Sequence, residues 1–555
     1  MSLRLIVLFG FLLLLEFLLP PLRAEYLIDL SAIFILSLLS WQLLKRKALS
    51  NQIYWLRWLA FGLSLIYLIF LILEAQKISD WWAQPDETWR SLMHSWFALI
   101  AIIVGLSSTL VIRFFSQIQN HPPRFIALIY TGFALASTLL LVLPISLRPG
   151  YSLSYLDAFF TSVSAISGTG LIVSNTAETF STFGQFVLLI VIQAGGIGII
   201  TFSGLLLLLI GKKLGLKERV VQDDLENLWF FRNLKQFVIF VSTVALIAEI
   251  VGAILIYPFM RARFDNFFEA AFHSIFQSIS AFCTAGFSTL PQGMIEADGH
   301  PFVLFVIAAL SILGMLGIPT ILGVLKFFDP SSIIRRLGAY AKMELWLAIG
   351  LLLFGTLSLF FIEAANDIYS STWDRFVDAF FQSSQRASGF NSVVIRELEP
   401  ASLFILMPLM FIAGAPMSTA GGVKTATIGI ILIFAYSFLK GRHEASFANR
   451  RISSTLLTKA VTLIVCYLGI LFFGFISLNF IETATSFELF FEALSALSVC
   501  GFSLGITESL SDGGKTIIII LMMLGRIGIL TGLYAILQDR RPERYRHPIG
   551  DFYVG

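Results

Sequence analysis

Apolar runs long enough to cross a lipid bilayer recur along the whole chain, and no other feature narrows the possible folds so far. A spanning helix needs about 20 predominantly apolar residues. Runs of this kind lie near 3–20, 26–44, 54–75, 93–117, 124–147, 184–210, 236–258, 302–327, 343–363, 402–437, 455–480 and 516–537, about twelve in all. Lipid offers no partners to peptide groups, so such runs must close their hydrogen bonds internally, as helices. Composition agrees. Of the 555 residues 57% are hydrophobic and only 13% charged, against roughly a quarter charged in soluble domains. The chain reads as an all-α polytopic membrane protein with no room for a sizeable soluble domain.

Residue counts exclude several classes of function. The net charge of +3 is small and scattered, which argues against nucleic acid. Cys283, Cys466 and Cys500 sit in apolar context without paired spacing, and the six histidines show no ligand pattern. Neither a disulfide framework nor a metal centre is expected. No clustered acids, histidines or nucleophile point to an enzyme, and no covalently bound cofactor is expected. Arg4 followed by the run Leu5–Leu19 has the outline of a signal peptide, but Glu16 interrupts it and Leu22-Arg23-Ala24 is a poor cleavage site. It is read as a first span that is retained.

Lys and Arg gather on every second connection: at Lys45, Arg46 and Lys47, at Arg113 and Arg124, at Lys212, Lys213 and Lys217, at Lys326, Arg335 and Arg336, at Lys440, Arg442, Arg450 and Arg451, and at Arg540, Arg541 and Arg544. Cytoplasmic loops carry this excess. Both chain ends are therefore expected in the cytoplasm of a multi-pass cell (inner) membrane protein. The intervening connections carry acids such as Asp157, Glu363 and Glu482.

Between alternate spans lie short apolar segments, four of which superpose on one glycine: SAISGTGLI (164–172), SAFCTAGFS (280–288), SSQRASGFN (383–391) and SALSVCGFS (495–503). The shared glycines are Gly170, Gly286, Gly389 and Gly501. A serine precedes each by six positions (Ser164, Ser280, Ser383, Ser495), and a bulky apolar residue follows each (Leu171, Phe287, Phe390, Phe502). One such match is commonplace. Four in register, each between two spans, imply four membrane–pore–membrane repeats around a pseudo-fourfold pore. A ring of peptide carbonyls can replace the hydration shell of an alkali cation, and glycine reaches the backbone angles that such a turn needs.

These segments resemble the TrkH/KtrB/HKT superfamily of potassium transporters, and other strings carry the likeness further. IQAGGIGIITF (192–202) is similar to the second helix of the family's first unit, and MSTAGGVKTAT (417–427) to the glycine-rich loop that breaks the second helix of its third. CGFSLGIT (500–507), LGRIGILT (524–531) and the tail from Tyr545 to Gly555 resemble bacterial KtrB-type subunits. The likeness runs from about Arg124 to the end. It implies a first unit over 121–232, a second over 233–341, a third with a broken second helix over 342–452, a fourth over 453–537, and a cytoplasmic tail over 538–555. The preceding 1–120, with about four extra transmembrane helices, is not covered.

By the resemblance, Gly170, Gly286, Gly389 and Gly501 are the filter glycines. Thr169, Ala285, Ser388 and Cys500 lend carbonyls to K⁺, the only ion expected there besides Na⁺. A glycine at 170, where a serine accompanies sodium transport in plant relatives, favours potassium. The segment containing Gly414, Gly421, Gly422 and Lys424 resembles the loop that occludes the conduit below the filter. Lys424 either anchors it or snorkels to the interface. Arg526, a charge inside an apolar run, must face a cavity or a partner: it either projects into the pore as a barrier or is tied to backbone carbonyls. Arg386, three positions before Gly389, needs a partner, for which Glu492 is the candidate. The resemblance further implies a homodimer in membrane lipid and a separate cytosolic subunit that binds the regulating nucleotide, docked on the basic loops. A sodium or non-selective cation pathway of the same fold is the alternative. An organic solute–cation symporter would instead show inverted repeats.

Overall fold

An apolar segment in lipid satisfies its peptide groups within itself, and the computed structural model is accordingly helical throughout its main elements. It describes residues 122–197, 234–297, 299–328, 337–442 and 444–528. All of them belong to one of two compact bodies into which the chain divides. The other body, Met1–His121 with Leu206–Val221, lies outside the described residues, and so do the expected N-terminal extension, most of the basic connections and the C-terminal tail.

One order of elements comes four times among the described residues: a long helix, a short helix, a turn through a glycine, and a further helix. The first group is α1 (Pro122–Val142), α2 (Tyr155–Ser167) and α3 (Thr182–Gly196). The second is α4 (Leu234–Arg261), α5 (Phe267–Phe282) and α6 (Pro301–Met315) continued by α7 (Ile318–Phe328). The third is α8 (Ala339–Ile362), α9 (Thr372–Ser384), α10 (Pro400–Phe411) and α11 (Thr425–Leu439). The fourth is α12 (Ser454–Ile481), α13 (Ser486–Ser498) and α14 (Asp512–Ile527). Ile239–Arg261, Ala339–Ala365 and Ser454–Ile481 are each long and apolar enough to cross a bilayer.

The run 302–327, read from sequence as one span, is bent by 103° between α6 and α7. Gly317 takes a positive φ of 71° there. The carbonyls this frees at Gly314 and Met315 accept instead from the amides of Thr419 (3.1 Å) and Ala415 (2.9 Å) in the loop between α10 and α11. Tertiary partners thus replace the next helical turn.

Each short helix starts the same way. Ser154, Asn266, Ser371 and Thr485 are N-caps whose side chains accept a backbone N–H, and an acid follows three positions on at Asp157, Glu269, Asp374 and Glu488. Thr485 and Glu488 complete a reciprocal capping box. Polar contacts join the groups in sequence. Asn175 Nδ2 donates to Pro291 O (2.7 Å), Ser311 Oγ to Gln385 Oε1 (2.9 Å), and Arg396 pairs with Glu488 (3.2 Å). Lys515 then pairs with Asp157 at 2.7 Å, so the fourth group returns to the first.

The third helices approach the short ones through glycine. A Cβ on Gly195 would stand 1.9 Å from Ile166 O, on Gly314 2.1 Å from Phe282 O, and on Gly525 2.1 Å from Leu497 O. Each obstructing oxygen lies four positions before one of the repeated glycines. Gly195→Val forces two backbones apart and is expected to destabilise the protein by about 3 kcal/mol or more. Gly132→Ala, on an exposed part of α1 with nothing within 4 Å, should be neutral or slightly stabilising. Thermal denaturation in detergent checks this; similar melting of the two variants would contradict the packing described.

Candidate functional site

The four repeated glycines meet. All have positive φ: 86° at Gly170, 71° at Gly286, 74° at Gly389 and 95° at Gly501. A Cβ on Gly170 would lie 2.7 Å from Ala285 O, on Gly286 2.3 Å from Ser388 O, on Gly389 2.6 Å from Cys500 O, and on Gly501 2.0 Å from Thr169 O. Each glycine thus abuts the peptide oxygen that precedes the next group's glycine, and the last abuts the first. The contacts form one closed cycle. Thr169, Ala285, Ser388 and Cys500 are fully buried, as are Phe287, Phe390, Phe502 and Leu171 behind them.

Three of the four turns share a helix-terminating geometry. Gly168, Thr284 and Val499 adopt left-handed backbone, and the following amides of Thr169, Ala285 and Cys500 bond back to the carbonyls of Ser164, Ser280 and Ser495 at 2.8–2.9 Å. This is the six-to-one closure of a Schellman motif. Two β-branched residues in that conformation cost of order 1–3 kcal/mol each, a strain that persists only where surroundings impose it. The repeated serines hold the turns. Ser164 Oγ donates to Leu171 O and Ser280 Oγ to Phe287 O, both at 2.7 Å, while Ser495 Oγ accepts from Gly501 N–H at 3.0 Å.

The third turn differs. Ala387 stays out of the left-handed region, and the amides of Ser388 and Gly389 both bond to Gln385 O. Ser383 turns away and donates to Leu352 O of α8 (2.9 Å). Arg386 is buried at 3% exposure, with one contact to Ser383 O at 3.3 Å. The expected Arg386–Glu492 pair does not form. Glu492 accepts from Ser503 (2.9 Å) and Thr507, on the segment that leaves the fourth turn. The acid is satisfied by hydroxyls of its own group and has no need of the cation.

The segment from Gly414 to Thr425 lies against the ends of these turns. Its base is closed by Val423 N–H to Phe411 O (3.1 Å) and Thr425 N–H to Gly414 O (3.0 Å). Thr419 Oγ1 donates to Phe282 O and accepts from Thr284 Oγ1, both at 3.2 Å. Gly421 presses on Val499, where a Cβ would come within 2.4 Å, and Gly422 needs a φ of +64°. Lys424 Nζ donates to Ala420 O (2.5 Å) and Gly421 O (3.1 Å), which ties the loop to itself. Arg526, at the end of α14, donates to Thr419 O of the loop and to Gly195 O of α3. Its contacts are therefore the backbone carbonyls that the sequence left open, and they bridge loop and helix.

Sequence reasoning missed two further elements. Glu249 in α4 is buried and accepts from Gln193 of α3 (2.9 Å), with the Cys283 thiol 3.9 Å from its other oxygen. A lone acid within the apolar run 236–258 was its signal. The second element is a glycine 24–28 positions after each repeated glycine: Gly195, Gly314, Gly414 and Gly525. Three of these permit the close approaches described above. Aligning the third helices as well as the short segments would have exposed the spacing.

Several known proteins are similar to this chain. The family model described as TrkH, cation transport protein, matches residues 92–540. The Ktr system potassium uptake protein D of Bacillus subtilis (strain 168) is 34% identical over 439 residues, covering 78% of this chain and 97% of that protein. The potassium/sodium uptake protein NtpJ of Enterococcus hirae is 30% identical over 450 residues, covering 79% and 97%. In fold, the crystal structure of the potassium transporter TrkH from Vibrio parahaemolyticus matches with a TM-score of 0.64 at 16% identity, covering 94% of this chain and 98% of that one.

Alanine at the repeated glycines should destabilise in the order of available room. Gly501→Ala, facing an oxygen at 2.0 Å, is expected to lower the melting midpoint in detergent most, and Gly170→Ala, at 2.7 Å, least. The reverse order would contradict the cycle of contacts.

Proposed function

The chain belongs to the TrkH family of cation transport proteins, and from that premise we propose that it carries potassium ions into the cell through the axis enclosed by its four glycine turns. The observation that carries this reading is the closed cycle of glycine–carbonyl contacts. Four turns meeting in order can present the carbonyls of Thr169, Ala285, Ser388 and Cys500 to one ion, as a substitute for water. Their side chains are unlike one another, which suits a site made of backbone. The C-terminal ends of α2, α5, α9 and α13 come just before the turns. Each such end carries about half a negative charge, and four together favour a cation without a single carboxylate on the axis. Na⁺ in place of K⁺ is the alternative that a relative named as a potassium/sodium uptake protein supports.

On this reading the segment Gly414–Thr425 is the gate. Hydrogen bonds hold it to α5 and α6, and Arg526 fastens it to α3 while placing a positive charge on the cation's route. Lys424 keeps the loop compact, and Arg386 supports the third turn. A relative named as part of a Ktr system supports a partner subunit, and on this reading that partner is cytosolic, binds nucleotide and docks on the basic connections. A homodimer in the cell membrane, with both termini cytoplasmic and sodium as a driving ion, completes the proposal.

Expression in cells deficient in potassium uptake should restore growth at low potassium. Gly170→Ser should keep growth at high potassium but weaken selectivity for K⁺ over Na⁺ in flux measurements. A well-inserted protein supplied with its partner that fails to rescue would count against potassium transport. Arg526→Ala removes both the charge and the tie between loop and α3, so resting flux in proteoliposomes should rise. Unchanged or reduced flux would leave Arg526 as a packing residue.

A further inference from the structure

Two buried ionisable residues beside the loop line a common cavity, and among the described residues neither is in a salt bridge. Glu344 of α8 is 1% exposed; one oxygen accepts from Thr425 Oγ1, and the other, Oε1, has no hydrogen-bond partner. The Tyr340 hydroxyl comes near that carboxylate without meeting hydrogen-bond geometry. Arg386, behind the third turn, leaves its Nε without a partner. Both residues line a cavity of about 120 Å³ whose wall also includes Gly414, Ala415 and Thr425, the two ends of the loop. The rest of the lining is aliphatic or methionine, with Ala348 of α8 among it.

We infer that this cavity is a binding site for a small uncharged molecule that joins one hydroxyl to a compact apolar body, of the phenol class. The lining sets each part of that description. An acceptor and a donor, both buried and unused, call for a group that can give or take a proton in a hydrogen bond, as a hydroxyl can. With a carboxyl and a guanidinium both in the lining, an ion of either sign meets one like and one opposite group, so neither sign is favoured and an uncharged molecule is spared the cost of desolvating a charge. Size sets the body, since apolar cavities near 150 Å³ take up benzene, and the space here is slightly smaller. An occupant touches both ends of the loop at once and holds it in the position seen. That effect on transport rests on the gate reading above; the binding does not.

The test uses the full-length chain purified in detergent, with para-fluorophenol as probe and fluorine NMR line broadening as readout. Saturable binding is expected, tighter than that of fluorobenzene, because the hydroxyl is used. Ala348→Phe, which fills the space, should weaken binding by about tenfold or more, while Ala348→Ser should leave it intact. If Ala348→Phe does not fold, Leu352→Phe serves as the filling variant. Absence of saturable binding means that the space takes solvent only and overturns the proposal. Equal binding of the two probes, or binding insensitive to filling, overturns it as well. In proteoliposomes, rubidium flux of the wild type should fall over the same concentration range. Binding as expected with unchanged flux supports the site and counts against the loop as gate.

Discussion

The distance between a glycine of one group and a peptide oxygen of the next is the constraint on which the rest of this structure depends. At 2.0–2.7 Å from a would-be Cβ, no side chain fits at these four positions without moving backbone. Four hairpin tips can only come this close if each is aimed by its own helix and stopped at a defined point. The caps at Ser154, Asn266, Ser371 and Thr485 set where the short helices begin, and the left-handed residues at Gly168, Thr284 and Val499 set where three of them stop. Behind the tips, close approach of α3, α6 and α14 to the short helices depends on glycine again. Crowding at the centre is thus prepared by permissive residues one layer out.

The third group departs from the other three, and its departures lie together. Its turn lacks the left-handed residue that precedes the glycine in the others, its serine bonds to α8, its arginine is buried behind the turn, and its last helix is interrupted by the loop 412–424. Peptide groups in such a loop need partners, and they find them in carbonyls that α6 surrenders by bending at Gly317. The bend in one group and the loop in another are therefore a single feature. Neither is stable in the membrane without the other.

Charges buried at this depth are held by carbonyls and amides more than by opposite charges. Arg526 rests on two peptide oxygens, Lys424 on two more, and Glu249 on an amide and a thiol. Peptide dipoles neutralise a charge less completely than a counter-ion does, so Arg526 keeps a field that reaches beyond its contacts. A cation on the proposed path would feel it. Two ion pairs lie instead at the start of short helices, Asp157–Lys515 and Glu488–Arg396, where they help close the circle of groups.

Much of this was legible in the residues. Apolar length determined the helices, since lipid leaves peptide groups no other solution. Register of the four glycines determined that four segments turn at an equivalent glycine, because only glycine accepts both the positive φ and the missing volume. Arg526 announced itself as a charge in an apolar run. Which groups meet was not legible, because contact across more than a hundred residues depends on how helices pack. The sequence suggested Glu492 for Arg386, yet hydroxyls at Ser503 and Thr507 lay nearer. It read 302–327 as one span, yet loop amides from another group drew its carbonyls away. Spacing along the chain decides local conformation; only the packed structure decides which partner is within 3 Å.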